Sequence, residues 1–352
     1  MSKKIKYTLY GSSKHICMFS YEIYLKHLSE YYEKVGDPKK ADVIFVTYVQ
    51  NIQDNFKRFF NYQLGSNAKI VILSEEPVWD LSWSQAIKLE GNKQIVSNIR
   101  NTKKVEVERI NFINTDVFSY NKIPFFLTTQ RAYTDNYLTY IDKLENADLA
   151  DIVRKKSYDV TGVFSRRTKD YINEYYVGDN IDKKCLNTFR GLLCDNLKEE
   201  SSLKCDFFGL NNSEYKGLTD ITIYDSTEFH KVKLDWCIDN AKFLFAFENT
   251  MLRTYVTEKI FDAVASASVP IFCQFPDEKY EFHGINIYDH ITDDFKTTYN
   301  SVLCELEKAD VVDLVRYNLE ILKSIYKDGH NQVQAEIKST VLRLNDEVTK
   351  LL

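Results

Sequence analysis

The stretch Lys242–Phe272 reads KFLFAFENTMLRTYVTEKIFDAVASASVPIF. Its first residues, through Phe247, form an apolar run too short for a helix, as expected of a strand buried on both faces. The run ends on Glu248 and Asn249, passes through a loop carrying Arg253 and Tyr255, and gives way to a helix near Thr257–Ala267. A second apolar run, Val269–Phe272, follows. Strand, loop, helix and strand in this order predict a βαβ unit in a parallel sheet, where ligands collect at the carboxyl ends of the strands. Glu258 and Lys259 fall in the first helical turn. Helix starts offer unbonded N–H groups and partial positive charge, which suit a diphosphate, and Lys259 adds a full charge. Glu258 beside them is placed to accept sugar or ribose hydroxyls.

The same alternation extends outward. In the first third, Ile5–Tyr10, Val43–Val49 and Lys69–Ser74 read as strands, with helices near Phe19–Val35 and Asn55–Tyr62. Ser74–Pro77 (SEEP) follows the third strand directly. A polar helical connector spans about Asn136–Lys156, and the alternation then resumes. Strands are expected at Val160–Ser165, Cys205–Phe208, Phe243–Phe247 and Val269–Phe272. Helices fall near Asp182–Glu200, Glu228–Asn240 and Thr257–Ala267, and residues 293–352 read as helical throughout. The expected division is a first α/β domain over 1–150, a second over 151–330 and a C-terminal helix over 331–352.

Composition narrows the class. The 352 residues are 44% hydrophobic and 28% charged, as in a folded globular chain, and suit two cores. A net charge of -5 gives no reason to expect nucleic acid as a partner. No apolar run reaches signal or membrane-span length. The seven cysteines are scattered without a C-x-x-C pair, and the six histidines form no metal-binding spacing, so reduced thiols and no metal are expected. These features read as a cytoplasmic protein.

The longer pattern within Lys242–Phe272 resembles the donor-binding signature of the α-1,3-fucosyltransferases, glycosyltransferase family 10. The matching pieces are F-x-F-E-N, the loop Thr250–Tyr255, V-T-E-K and, after the helix, V-P-I. Upstream, Arg154–Lys156 (RKK), the strand ending in Ser165, Arg166 and Arg167, and Cys205–Gly209 (CDFFG) are similar to family landmarks. The likeness runs over roughly residues 154–300. It implies a GT-B fold, two Rossmann-like doubly wound domains facing across a cleft. It implies a GDP-sugar donor, GDP-fucose, and no cofactor. Glu248, Asn249, Tyr255, Glu258 and Lys259 are then the donor-binding residues, with Arg166 or Arg167 on the diphosphate. Guanidinium forks match phosphate oxygens and can stand in for a divalent ion.

SEEP is similar to the family's E-S-P segment, which puts Glu75 in the place of the general base. An inverting transfer needs such a carboxylate to take the proton of the acceptor hydroxyl as its oxygen attacks the anomeric carbon. Glu76 beside it would raise its pKa by like-charge repulsion. The chain departs from the family after V-P-I, where Cys273 and Gln274 follow Phe272, and this bears on which sugar is carried. Two alternatives stand beside fucosyl transfer: a GT-B transferase for another nucleotide sugar, and a non-catalytic nucleotide-sugar binder in a polysaccharide assembly. The expected acceptor is an oligosaccharide or lipid-linked glycan of a bacterial surface polysaccharide such as lipopolysaccharide, or of protein glycosylation. That would allow peripheral association with the inner face of the membrane.

Overall fold

The computed structural model describes residues 3–11, 17–75, 93–98, 102–164, 184–208, 226–275, 282–292 and 294–352. They fall into two compact units, Met1–Gln130 with Leu252–Tyr255 and Gln334–Leu352, and Arg131–Met251 with Val256–Val333.

The first unit is built on a six-stranded sheet in the order β2-β1-β3-β4-β6-β5. Its strands are β1 (Ile5–Tyr10), β2 (Tyr32–Lys34), β3 (Val43–Val46), β4 (Lys69–Leu73), β5 (Lys93–Ser97) and β6 (Lys104–Ile110). All pairs are parallel except β5 with β6. The apolar runs VIFV and KIVIL bury almost every residue, as central strands covered on both faces must. β6 alternates instead, with Val105 and Val107 buried and Glu106 exposed. Helices α1 (Glu22–Tyr31), α2 (Val49–Asp54) and α3 (Phe56–Gly65) flank the sheet, and Ile52 and Phe59 pack with Ile44, Ile70 and Ile72 in its core.

The second unit carries a five-stranded, wholly parallel sheet in the order β13-β12-β10-β7-β9. The strands are β7 (Tyr158–Val163), β9 (Cys205–Phe208), β10 (Ala241–Phe245), β12 (Val269–Phe272) and β13 (Ile285–Asn286). β8 (Lys184–Cys185) and β11 (Thr250–Met251) form a short antiparallel ladder. The helices are α4 (Arg131–Glu145), α5 (Leu149–Lys155), α6 (Asn187–Glu200), α7 (Ser226–Asn240), α8 (Glu258–Ala265), α9 (Phe295–Lys308) and α10 (Val311–Ile325). α11 (His330–Leu351) begins in this unit and ends in the first. Among the described residues no helix is long and apolar enough to cross a membrane.

The α/β class with two mainly parallel sheets and a helical C-terminal region is as the sequence implies. The boundaries differ from the expected 150 and 331. The connector is two helices grouped with the second unit, because α4 buries Tyr137, whose hydroxyl donates to Asp262 at 2.7 Å. From Gln334 onward α11 is grouped with the first unit: Glu336 accepts the backbone N–H of Lys122 at 2.6 Å, and Arg343 donates to the carbonyl of Val117 at 3.2 Å. Lys156, the last residue of RKK, is buried, and its Nζ donates to the carbonyls of Ile238 and Ser266 at 3.0 and 2.9 Å. It thereby ties the end of α7 to the end of α8, satisfying carbonyls that the helices leave unbonded.

Candidate donor site and base

In the second sheet β9 lies on one side of β7 and β10 on the other, so the strand order reverses between β7 and β10. In parallel sheets ligands gather outside the carboxyl ends at such a reversal. Glu248 and Asn249 follow β10 there, and α8 opens at Glu258 after the β11 loop.

Glu248 is 7% exposed and turned inward. Its Oε1 accepts the backbone N–H of Thr257 at 2.7 Å and the Thr257 hydroxyl at 2.8 Å, and its Oε2 accepts from Lys259 Nζ at 3.0 Å. The carboxylate therefore takes over the capping of α8 that the side chain of Thr257 does not perform. Lys259 Nζ also lies 3.6 Å from Glu258 Oε1, which sits 3.7 Å from Lys233 Nζ. Lys233 in turn reaches Asp262 at 2.7 Å, and Asp262 meets His230 Nε2 at 2.7 Å. The result is a continuous alternation of Glu248, Lys259, Glu258, Lys233, Asp262 and His230. Glu258 and Asp262 are four apart on α8, and His230 and Lys233 three apart on α7, so each pair shares one helix face.

The titrations follow from this order. Burial would raise the carboxyl of Glu258, but Lys259 and Lys233 outweigh it and hold it below the usual range. Burial would likewise lower Lys259 and Lys233, but their carboxylate neighbours raise both. Asp262, opposed by burial, is held well down by Lys233 and His230. The set is thus fully charged at neutral pH along Lys259, Glu258, Lys233 and Asp262.

Of the residues singled out in the sequence, Glu248, Asn249, Glu258 and Lys259 come together in the second unit. Glu248 has both oxygens engaged within the protein, which makes it a brace for Lys259 and Thr257. Lys259 is only 20% exposed, not a solvated surface lysine. Asn249 gives its carbonyl to the N–H of Leu186 at 2.9 Å, and its buried Oδ1 has no hydrogen-bond partner among the described residues. Thr254, in the loop between them, holds a left-handed φ of 65°, a conformation that costs a β-branched residue energy and tends to cluster at ligand sites. Tyr255 is grouped with the first unit, where its ring meets Phe112 edge-on at 5.1 Å. Arg166, Arg167 and Glu76 lie outside the described residues. The Gln274 backbone is clasped by Asn286, whose Oδ1 accepts the Gln274 N–H and whose Nδ2 donates to the Gln274 carbonyl, both at 3.1 Å.

Sequence reading missed Asp262, Lys233, His230 and Arg190. Arg190, 3% exposed, donates to the Phe247 carbonyl at 3.0 Å and lies 4.3 Å from the Phe164 ring, bracing the ends of β10 and β7. For Arg190 the available signal was a charged residue on the helix face it shares with the buried Leu193, Cys194 and Leu197.

In the first unit Glu75 follows β4 at its carboxyl end, beyond the buried Ser74. The hydroxyl of Tyr21 donates to Glu75 Oε2 at 2.6 Å. Cys17 and Tyr24 lie close enough to feel its charge. Burial, aided by that charge, pushes the Cys17 thiol up to about 12, and burial raises Tyr24.

Residues 184–310 match the family description "Glycosyltransferase family 10 (fucosyltransferase) C-term". The matched region is therefore, in class, that of a glycosyltransferase. More narrowly, the matched region bears out the resemblance to family 10, and it contains Glu248, Asn249, Tyr255, Glu258 and Lys259. Comparison with curated proteins finds no match. Among solved structures the chain is similar to a crystal structure of an alpha1,3-fucosyltransferase at TM-score 0.47 and 14% identity, over 95% of this chain and 92% of that one. The structure of alpha1,3-fucosyltransferase with GDP-fucose gives TM-score 0.44 and 14% identity over 92% and 90% of the two chains. That with GDP gives 0.42 and 13% over 92% and 89%.

Proposed function

We propose that this chain transfers fucose from GDP-fucose to a hydroxyl of a glycan acceptor, with inversion and without a metal ion, in bacterial surface polysaccharide synthesis. The observation that carries the reading is the braced Lys259 and Glu258 at the opening of α8, beyond the strand reversal and inside the family 10 region. Lys259 and the helix start face the developing charge on the diphosphate, while Glu248 and Glu258 hold the Lys259 ammonium in place. Arg166 or Arg167 adds a second cation. Asn249 Oδ1 and Glu258 take sugar or ribose hydroxyls. Glu75 accepts the proton of the attacking hydroxyl.

A panel of nucleotide sugars, read by thermal shift and by release of the nucleotide, tests the donor. GDP-fucose is expected to stabilise the protein most and to turn over fastest. A stronger response to another sugar would assign the chain to a different donor, in line with Cys273 and Gln274 after V-P-I. Binding without release of nucleotide, with every acceptor and with water, would mark a binding protein.

A further inference from the structure

Glu75 is anchored by a residue that no sequence motif singled out. Tyr21 sits at the entry to α1, between the short 3-10 turn Met18–Ser20 and the helix, and its hydroxyl reaches fifty-four positions along the chain to Glu75 Oε2 at 2.6 Å. The phenol is half-buried, and burial followed by the charge of Glu75 raises it far above its ordinary value. It is therefore a donor only, never a competing anion. Tyr24, one turn further on, is fully buried and shares a hydrogen bond of 2.6 Å with Thr128, so the wall carrying Tyr21 is itself held.

We propose that Tyr21 is the positioning residue of the general base, a reading that rests on Glu75 being that base. A carboxylate at a strand end can rotate about three side-chain bonds. A donor fixed on one oxygen stops that rotation and presents the carboxylate to the attacking hydroxyl in one orientation. The same hydrogen bond stabilises the anion relative to the neutral acid, so its removal is what a pH profile reads. Among the described residues, Cys17 from the turn before α1 and Tyr24 from α1 also feel this carboxylate, and Tyr24 is itself held by Thr128 and faced by Arg343 of α11. Cys17 and both tyrosines stay neutral across the working range, since burial raises all three. Titration of these three groups therefore does not enter the pH response of the base, and the hydrogen bond from Tyr21 does.

The test uses GDP-fucose with water as the acceptor. Water oxygen attacks the anomeric carbon, its proton passes to Glu75, the bond from that carbon to the diphosphate oxygen breaks, and GDP is measured as it leaves. Tyr21→Phe keeps the ring and removes the donor. It is expected to lower kcat about tenfold, leave KM for GDP-fucose within twofold, and move the acid limb of kcat up by about one pH unit. Replacing Tyr21 by 3-fluorotyrosine, a stronger donor of the same shape, should move that limb down, and serves should the phenylalanine variant not fold. In a Glu75→Gln background, Tyr21→Phe should cost nothing further. An unshifted limb and near-normal kcat in Tyr21→Phe, with Glu75→Gln inactive, would overturn the role of Tyr21 and leave the base reading standing. An active Glu75→Gln overturns the base reading, and the role of Tyr21 with it.

Discussion

Lys259 Nζ rests 3.0 Å from Glu248 Oε2 while the other oxygen of the same carboxylate holds the backbone N–H of Thr257. One buried carboxylate thus sets both the start of α8 and the position of the cation beside it. A lysine on a free four-carbon stem would lose rotamer entropy on meeting a phosphate; here that loss is met on folding.

Lys259→Ala should weaken binding of GDP at least tenfold, by calorimetric titration. It should also lower stability by about 1–3 kcal/mol, because Glu248 and Glu258 lose the cation between them. An unchanged affinity for GDP would remove Lys259 from the donor set, whatever the melting temperature does.

Asp262 is expected to contribute to the loss of stability at acid pH. Its carboxyl is held well below the ordinary value by Lys233 and His230, against burial. A group depressed on folding contributes stability in full above its unfolded-state pKa of about 3.9, and loses it as pH falls through the folded value. Thermal unfolding midpoints measured from pH 7 down to pH 2 should therefore drop below about pH 4. Asp262→Asn should lower the midpoint at pH 7, at a cost of about 3–5 kcal/mol for the stranded Lys233, and flatten the drop. Equal acid slopes in the two proteins would show that Asp262 is not the group responsible.

The sheets were legible because their central strands are unbroken apolar runs. KIVIL and VIFV each stand between polar segments, and only a strand covered on both faces explains them. β5 and β6 were missed because β6 alternates, with Val105 and Val107 inward and Glu106 outward, as a strand with one exposed face does, and the edge strand β5 buries only Val96, so both read as polar. Glu258 and Lys259 were legible as a helix start joined to a longer signature. Lys233 and His230 were not, since their meaning arises only when α7 lies beside α8 and brings them onto Asp262. Tyr21 and Glu75 illustrate the same limit: their hydrogen bond joins residues far apart in sequence, and no local pattern carries it.

Turnover is expected to persist in excess EDTA, because in the proposed reaction the arginine and lysine charges, the helix start and backbone N–H groups are what stabilise the leaving group. The measurement is GDP release before and after chelation, then after adding manganese. Activity lost with EDTA and restored by manganese would reject metal independence.

Glu75→Gln isolates the proton transfer. The substitution keeps the shape of the side chain and an oxygen to accept from the Tyr21 hydroxyl, so donor binding and folding should be near normal by GDP titration and circular dichroism. A carboxamide cannot take the proton of the attacking hydroxyl, and turnover should fall about a hundredfold or more. Glu76→Gln is the matched control and should be milder, because the family likeness puts the base at the first glutamate of SEEP. Should Glu76→Gln lose turnover while Glu75→Gln keeps it, the base is the second of the pair, and the hydrogen bond from Tyr21 serves the loop and not the chemistry. Should both variants turn over normally, the proton goes elsewhere, and the first unit contributes no base from this strand end.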